Sequence, residues 1–107
     1  MKLDEFAEIL TGTGIPFAYH HFDKPQKLPY GAWEITDEPD FMADDTHYLP
    51  FIEGYVEYYS TRKDLAGEEK IKAVLTNNKI PFSFVYESYI EREKMFVVRY
   101  SVNFIGG

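Results

Sequence analysis

The chain has three histidines, eighteen carboxylates and no cysteine, and these set the chemistry open to it. His20 and His21 adjoin in a segment that reads as a strand. Adjacent strand residues point to opposite faces, so two such imidazoles do not share one metal ion. Ordinary sheet or surface histidines are the simpler reading, and His47 lies apart in an acidic loop. That loop supplies Asp37, Glu38, Asp40, Asp44 and Asp45, an oxygen-rich set of the kind that holds Ca²⁺. However, Asp40-Phe41-Met42-Ala43-Asp44-Asp45 lacks the alternating acids and central glycine of an EF-hand, so a solvated loop is expected. Glu53, Glu57, Glu87, Glu91 and Glu93 are carboxylates for acid–base work only if a pocket holds two of them together. A charge-studded sheet face is the better explanation. Gly12-Thr13-Gly14 is not followed by the Lys-Ser/Thr of a phosphate loop, and no G-x-S-x-G surrounds any serine. With cysteine absent, thiolate-ligated zinc and cysteine nucleophiles are excluded. No catalytic residue, cofactor or metal site is expected.

The elements that position these residues belong to one domain, 1–107, a length at which about two-thirds of the surface is buried on folding. Nine tyrosines and nine phenylalanines exclude global disorder. No apolar stretch approaches the ~18 residues of a membrane helix. Met1-Lys2-Leu3-Asp4-Glu5 has no apolar run after it, so no secretory leader is expected. The net charge of −7 opposes binding to a phosphate backbone, yet suits a surface past which DNA slides without sticking.

Leu3, Phe6, Ala7 and Leu10 form one helical face, stopped by Thr11-Gly12-Thr13-Gly14. A strand is expected from Phe17 to Phe22, a proline-bearing turn to Pro29, and a second strand from Tyr30 to Thr36. The third strand, Phe51 to Thr61, alternates Tyr55, Glu57 and Tyr59 with Val56 and Tyr58. A second helix begins near Arg62-Lys63-Asp64 and ends at Asn77-Asn78. Leu65, Ile71, Val74 and Leu75 form its apolar stripe, with Glu68, Glu69, Lys70 and Lys72 mostly outside. Gly67 weakens its start. The last two strands form a hairpin. Phe82, Phe84 and Tyr86 alternate with Ser83, Val85 and Glu87, Glu91-Arg92-Glu93-Lys94 turns, and Phe96, Val98, Tyr100, Val102 and Phe104 share one face. The expected fold is α+β: two helices packed on one antiparallel sheet, in the order α-β-β-β-α-β-β.

Leu10-Thr11…Ile15-Pro16-Phe17 recurs as Leu75-Thr76…Ile80-Pro81-Phe82. It marks either two similar helix-to-strand turns or a duplicated helix–strand–strand unit. Tyrosines in the strands serve structure, and they also suit a face covered by another subunit. Phe41 and Met42, apolar within a polar loop, either contact a partner or fold onto the chain's own core.

Four stretches give the sequence a family likeness: Gly14-Ile15-Pro16-Phe17-Ala18-Tyr19; Leu28-Pro29-Tyr30-Gly31-Ala32-Trp33; Phe41-Met42-Ala43-Asp44-Asp45 leading to Tyr55-Val56-Glu57-Tyr58-Tyr59-Ser60; and Arg62-Lys63-Asp64 followed by Ile80-Pro81-Phe82. In this order they resemble the tail-completion (tail terminator, or minor capsid) proteins of long-tailed bacteriophages and of prophages in Gram-positive bacteria. The resemblance implies a non-enzymatic virion protein: a homo-oligomer, usually a ring of six, that forms on the tail tube, stops its growth and meets the head connector. DNA passes through the lumen without sequence-specific binding, and no membrane is involved. The implied location is the head–tail interface of the virion, after assembly in the host cytoplasm. Tail-terminator and head-completion roles are not separated by these segments. Phe41, Met42, Asp44, Asp45 and Tyr48 in the acidic loop, and Arg92 in the hairpin turn, are the expected subunit or partner contacts. The alternatives are a small ligand-binding or regulatory α+β domain, and a small hydrolase or isomerase using paired glutamates.

Overall fold

In the computed structural model, which describes residues 1–37 and 51–106, the chain runs α1 (Leu3–Thr11), β1 (Phe17–Tyr19), β2 (Tyr30–Asp37), β3 (Phe51–Ser60), α2 (Leu65–Asn77), β4 (Phe82–Ile90) and β5 (Met95–Ile105). The α+β class and the element order are as the sequence predicts. The strands form one sheet in the order β1-β2-β3-β5-β4.

The sheet is mixed rather than wholly antiparallel, because β1 runs parallel to β2, with Phe17 opposite Gly31 and Tyr19 opposite Trp33. Its cause is local. The first strand does not continue to Phe22 but ends at Tyr19, and His20 takes a left-handed φ of 68°. Residues 20–29 then carry the chain back to the start of β2, a span too long for the tight turn of an antiparallel hairpin. Phe17 lays its ring over Gly31, where a Cβ would collide with it. The other three pairings are antiparallel.

Both helices cover one face of the sheet. Phe6 and Leu10 of α1, as the apolar spacing predicts, and Ile71 and Leu75 of α2 are fully buried against Trp33, Val56, Tyr58, Val98, Tyr100, Val102 and Phe104. Phe6 meets Trp33 edge-on at 5.3 Å and stacks on Phe104 at 4.9 Å. The β5 alternation is as expected.

Helix α2 departs from its sequence reading in two side chains. Leu65, placed in the apolar stripe, is exposed, and Glu68, placed outside, is buried at 3% exposure. Two tyrosines of the sheet explain this. The Tyr58 hydroxyl donates to Asp64 Oδ2 at 2.5 Å, while Asp64 Oδ1 accepts the Gly67 amide and caps the helix. The Tyr100 hydroxyl donates to Glu68 Oε1 at 3.0 Å. Lys63 Nζ lies 2.9 Å from Glu68 and 2.9 Å from Glu87 of β4, so the buried carboxylate has a counter-charge. Gly67 is required here, because a Cβ on it would strike the Tyr58 hydroxyl.

Strand β4 also differs. A bulge between Phe84 and Tyr86 leaves Val85 outside the register. Phe84 stays opposite Tyr100 on the helix side, whereas Tyr86 falls opposite Arg99 on the other face. The repeated Leu-Thr…Ile-Pro-Phe motif leads from a helix to an edge strand both times, with Leu10, Leu75, Ile15 and Ile80 buried. One edge strand is parallel to its neighbour and the other antiparallel, so the recurrence reflects similar turns rather than a repeated α-β-β unit.

Candidate interaction surface

The second face of the sheet has no helix packed on it among the described residues. The strand register places Tyr30, Ala32 and Glu34 of β2, Tyr55, Glu57 and Tyr59 of β3, Arg99 and Ser101 of β5, and Tyr86 of β4 on this face. Antiparallel pairing sets Glu57 opposite Arg99. Arg99 donates through Nε to Glu57 Oε2 at 2.9 Å, and its Nη2 lies 2.8 Å from the same oxygen. Glu34 stands 3.7 Å away on the other side. The guanidinium lies over the Tyr55 ring at 4.4 Å and the Tyr86 ring at 5.4 Å. Tyr59 donates to Glu57 Oε1 at 3.2 Å and stacks on Tyr30 at 5.0 Å. Burial works against the Arg99 charge, but the hydrogen bond and charge of Glu57 outweigh it and raise its pKa. Burial and then the Glu57 charge raise Tyr59, and burial and then Glu93 raise Tyr30, so both phenols stay protonated donors.

Beside this lattice the loop after β1 folds over the same face. Phe22 meets Tyr30 edge-on at 5.4 Å. Residues 20–26, Tyr30, Ala32, Tyr59, Ile90, Glu93 and Met95 enclose a groove of about 520 Å³. The adjacent histidines are not in a strand, contrary to expectation. The left-handed turn at His20 brings their rings together, with Nδ1 atoms 3.0 Å apart. His20 Nε2 lies 3.7 Å from Glu34 and His21 Nε2 3.4 Å from Asp23, all partly or largely exposed. Among the described residues no three His, Asp or Glu side chains converge as metal ligands.

The carboxylates weighed for acid–base work are not brought together as a pair. Glu57 is held by Arg99 and Glu87 by Lys63, while Glu53, Glu91 and Glu93 are exposed. Arg92 lies exposed in the turn between β4 and β5. Phe41, Met42, Asp44, Asp45 and Tyr48 lie outside the described residues. Arg99 went unnoticed in the sequence because its importance depends on register. It is the single basic residue of the β5 alternation, and Glu57 is an acid of the β3 alternation, but only strand pairing makes them opposite. No protein-family model matches the chain, and no curated protein matches it.

Proposed function

We propose that the chain is a structural virion-assembly protein, a ring subunit that caps a phage tail tube and joins it to the head. The observation that carries this is the second sheet face, which carries no helix among the described residues and where Arg99, Glu57 and four tyrosines hold one another in place. Tyrosine and arginine are the residue types that dominate protein interfaces, and side chains already ordered lose little entropy on docking. The resemblance of the four sequence segments to tail-completion proteins gives the partner class, and the net charge of −7 suits a lumen through which DNA passes. No step of this role needs a catalytic group. The reading is tested by adding the chain to polymerising tail tube protein. Shortened tubes with a ring at one end support it, and tubes of unchanged length with no bound chain oppose it.

The groove beside Tyr30 favours a second reading, a small-ligand binding domain. Its aromatic floor of Phe22, Tyr30 and Tyr59 would take a flat apolar group. A thermal-shift screen with metabolites tests it, and the absence of any shift speaks against it.

A further inference from the structure

We propose that His20 and His21 form a two-nitrogen chelate for a tetragonal divalent cation, Cu²⁺ ahead of Ni²⁺ and Zn²⁺. The proposal does not depend on the ring reading or on the groove reading.

In a strand these neighbouring imidazoles would point to opposite faces. The left-handed φ of 68° at His20 brings them together instead, and backbone hydrogen bonds pin the turn on both sides. The His20 amide donates to the Trp33 carbonyl at 2.7 Å, and the His21 amide to the Tyr19 carbonyl at 2.7 Å. The turn is therefore fastened to the sheet edge. The two rings stand at 87° to each other with centroids 5.2 Å apart, and their Nδ1 atoms face each other at 3.0 Å. Two bare lone pairs this close repel, so in the pair by itself one Nδ1 carries a hydrogen and donates it to the other. A metal ion in place of that hydrogen is held by both.

The spacing selects the metal. With metal–nitrogen bonds of about 2.0–2.1 Å, nitrogens 3.0 Å apart subtend about 91–97° at the ion. That is the cis angle of a square-planar or tetragonal site, whereas a tetrahedral ion needs its nitrogens about 3.3–3.4 Å apart. Nitrogen sites of this shape suit Cu²⁺ and Ni²⁺, and Cu²⁺ binds the more tightly of the two. The outer ring nitrogens fit the same role. An imidazole that holds a metal on Nδ1 carries its hydrogen on Nε2, and commonly directs it at a carboxylate. His20 Nε2 lies 3.7 Å from Glu34, and His21 Nε2 lies 3.4 Å from Asp23. The hydrogen that leaves Nδ1 thus moves to Nε2 of the same ring, beside an acid, and no proton is lost overall. The two imidazoles are 64% and 66% exposed, so the ion has access from solvent. Among the described residues no third His, Asp or Glu side chain converges on them, so water fills the remaining positions.

Titration with Cu²⁺, read by quenching of Trp33, the single tryptophan, tests the site. One equivalent should bind, with the electron paramagnetic resonance spectrum of a tetragonal ion on two imidazole nitrogens. Zn²⁺ should bind at least ~tenfold more weakly. His20→Asn and His21→Asn should each weaken Cu²⁺ binding at least ~tenfold. Asparagine tolerates the left-handed turn at position 20, and both side chains are exposed, so the variants should melt as the wild type does before metal is added. Cu²⁺ should raise the melting temperature of the wild-type chain and leave that of the variants unchanged, because the fold sets the chelate. Three results each overturn the proposal. One is the absence of saturable binding. Another is binding undiminished in both variants, which places the ion elsewhere. The third is wild-type binding with no rise in melting temperature, which marks an adventitious ion on two exposed histidines.

Discussion

Arg99 is the centre of the open face, touching Glu57, Glu34, Tyr55 and Tyr86 at once. Replacing it with alanine leaves the half-buried Glu57 carboxylate without its strongest donor. The expected cost is about 1–3 kcal/mol in urea unfolding. Arg99→Lys should recover little of that, because a single ammonium lacks the planar fork that grips Glu57 while lying on two rings. Asp64 governs the acid limb of stability. The Tyr58 hydroxyl first, and the Gly67 amide second, hold its carboxyl below the usual aspartate range. A carboxyl with a folded pKa below its unfolded value of about 3.9 stabilises the fold above that pH, and the contribution disappears as pH falls through the folded value. The wild-type melting temperature should therefore drop more steeply below about pH 4 than that of Asp64→Asn, and parallel acid profiles of the two would contradict the assignment.

At the scale of elements, the start of α2 is held by the sheet rather than by helix propensity. Gly67→Ala would ordinarily strengthen a helix by roughly 0.5–1 kcal/mol. Here the added methyl meets the Tyr58 hydroxyl, so the expected result is destabilisation by about 1–3 kcal/mol, read from chemical denaturation. Tyr58→Phe in the Gly67→Ala background should recover little of it, because the ring carbon Cζ and Asp64 Oδ2 also crowd the added methyl and the hydrogen bond to Asp64 is lost. A more stable Gly67→Ala chain would contradict this packing. The same helix marks how far the sequence was legible. Periodicity gave α1, the β3 and β5 alternations and the element order, because burial on one face writes itself into spacing. It misplaced Glu68, since a carboxylate is buried only when a distant strand offers a hydroxyl and a neighbouring lysine, and neither leaves a local trace. It also missed the parallel β1, which follows from the left-handed turn at His20, and the Tyr86 face, which follows from one unpaired residue in β4. The open face was visible only as an excess of tyrosine; its Arg99–Glu57 centre arises from register, which alternation along one strand does not determine.

At the scale of the whole molecule, two helices seal one side of a five-stranded sheet, while among the described residues the opposite side keeps an ordered tyrosine, arginine and glutamate lattice and a groove. In the proposed ring, the open face is the side that neighbouring copies or the tube would cover. The net charge of −7 opposes close packing of many copies, which favours a ring that forms on a template over one that forms alone. The most direct test is negative-stain electron microscopy of tail tube protein polymerised with and without the chain. Shorter tubes that carry a ring at one end are expected, and that ring should be lost when Arg99→Ala disturbs the open face while the variant remains folded. Tubes of equal length with no bound chain, from wild-type protein that is folded and in excess, would contradict it.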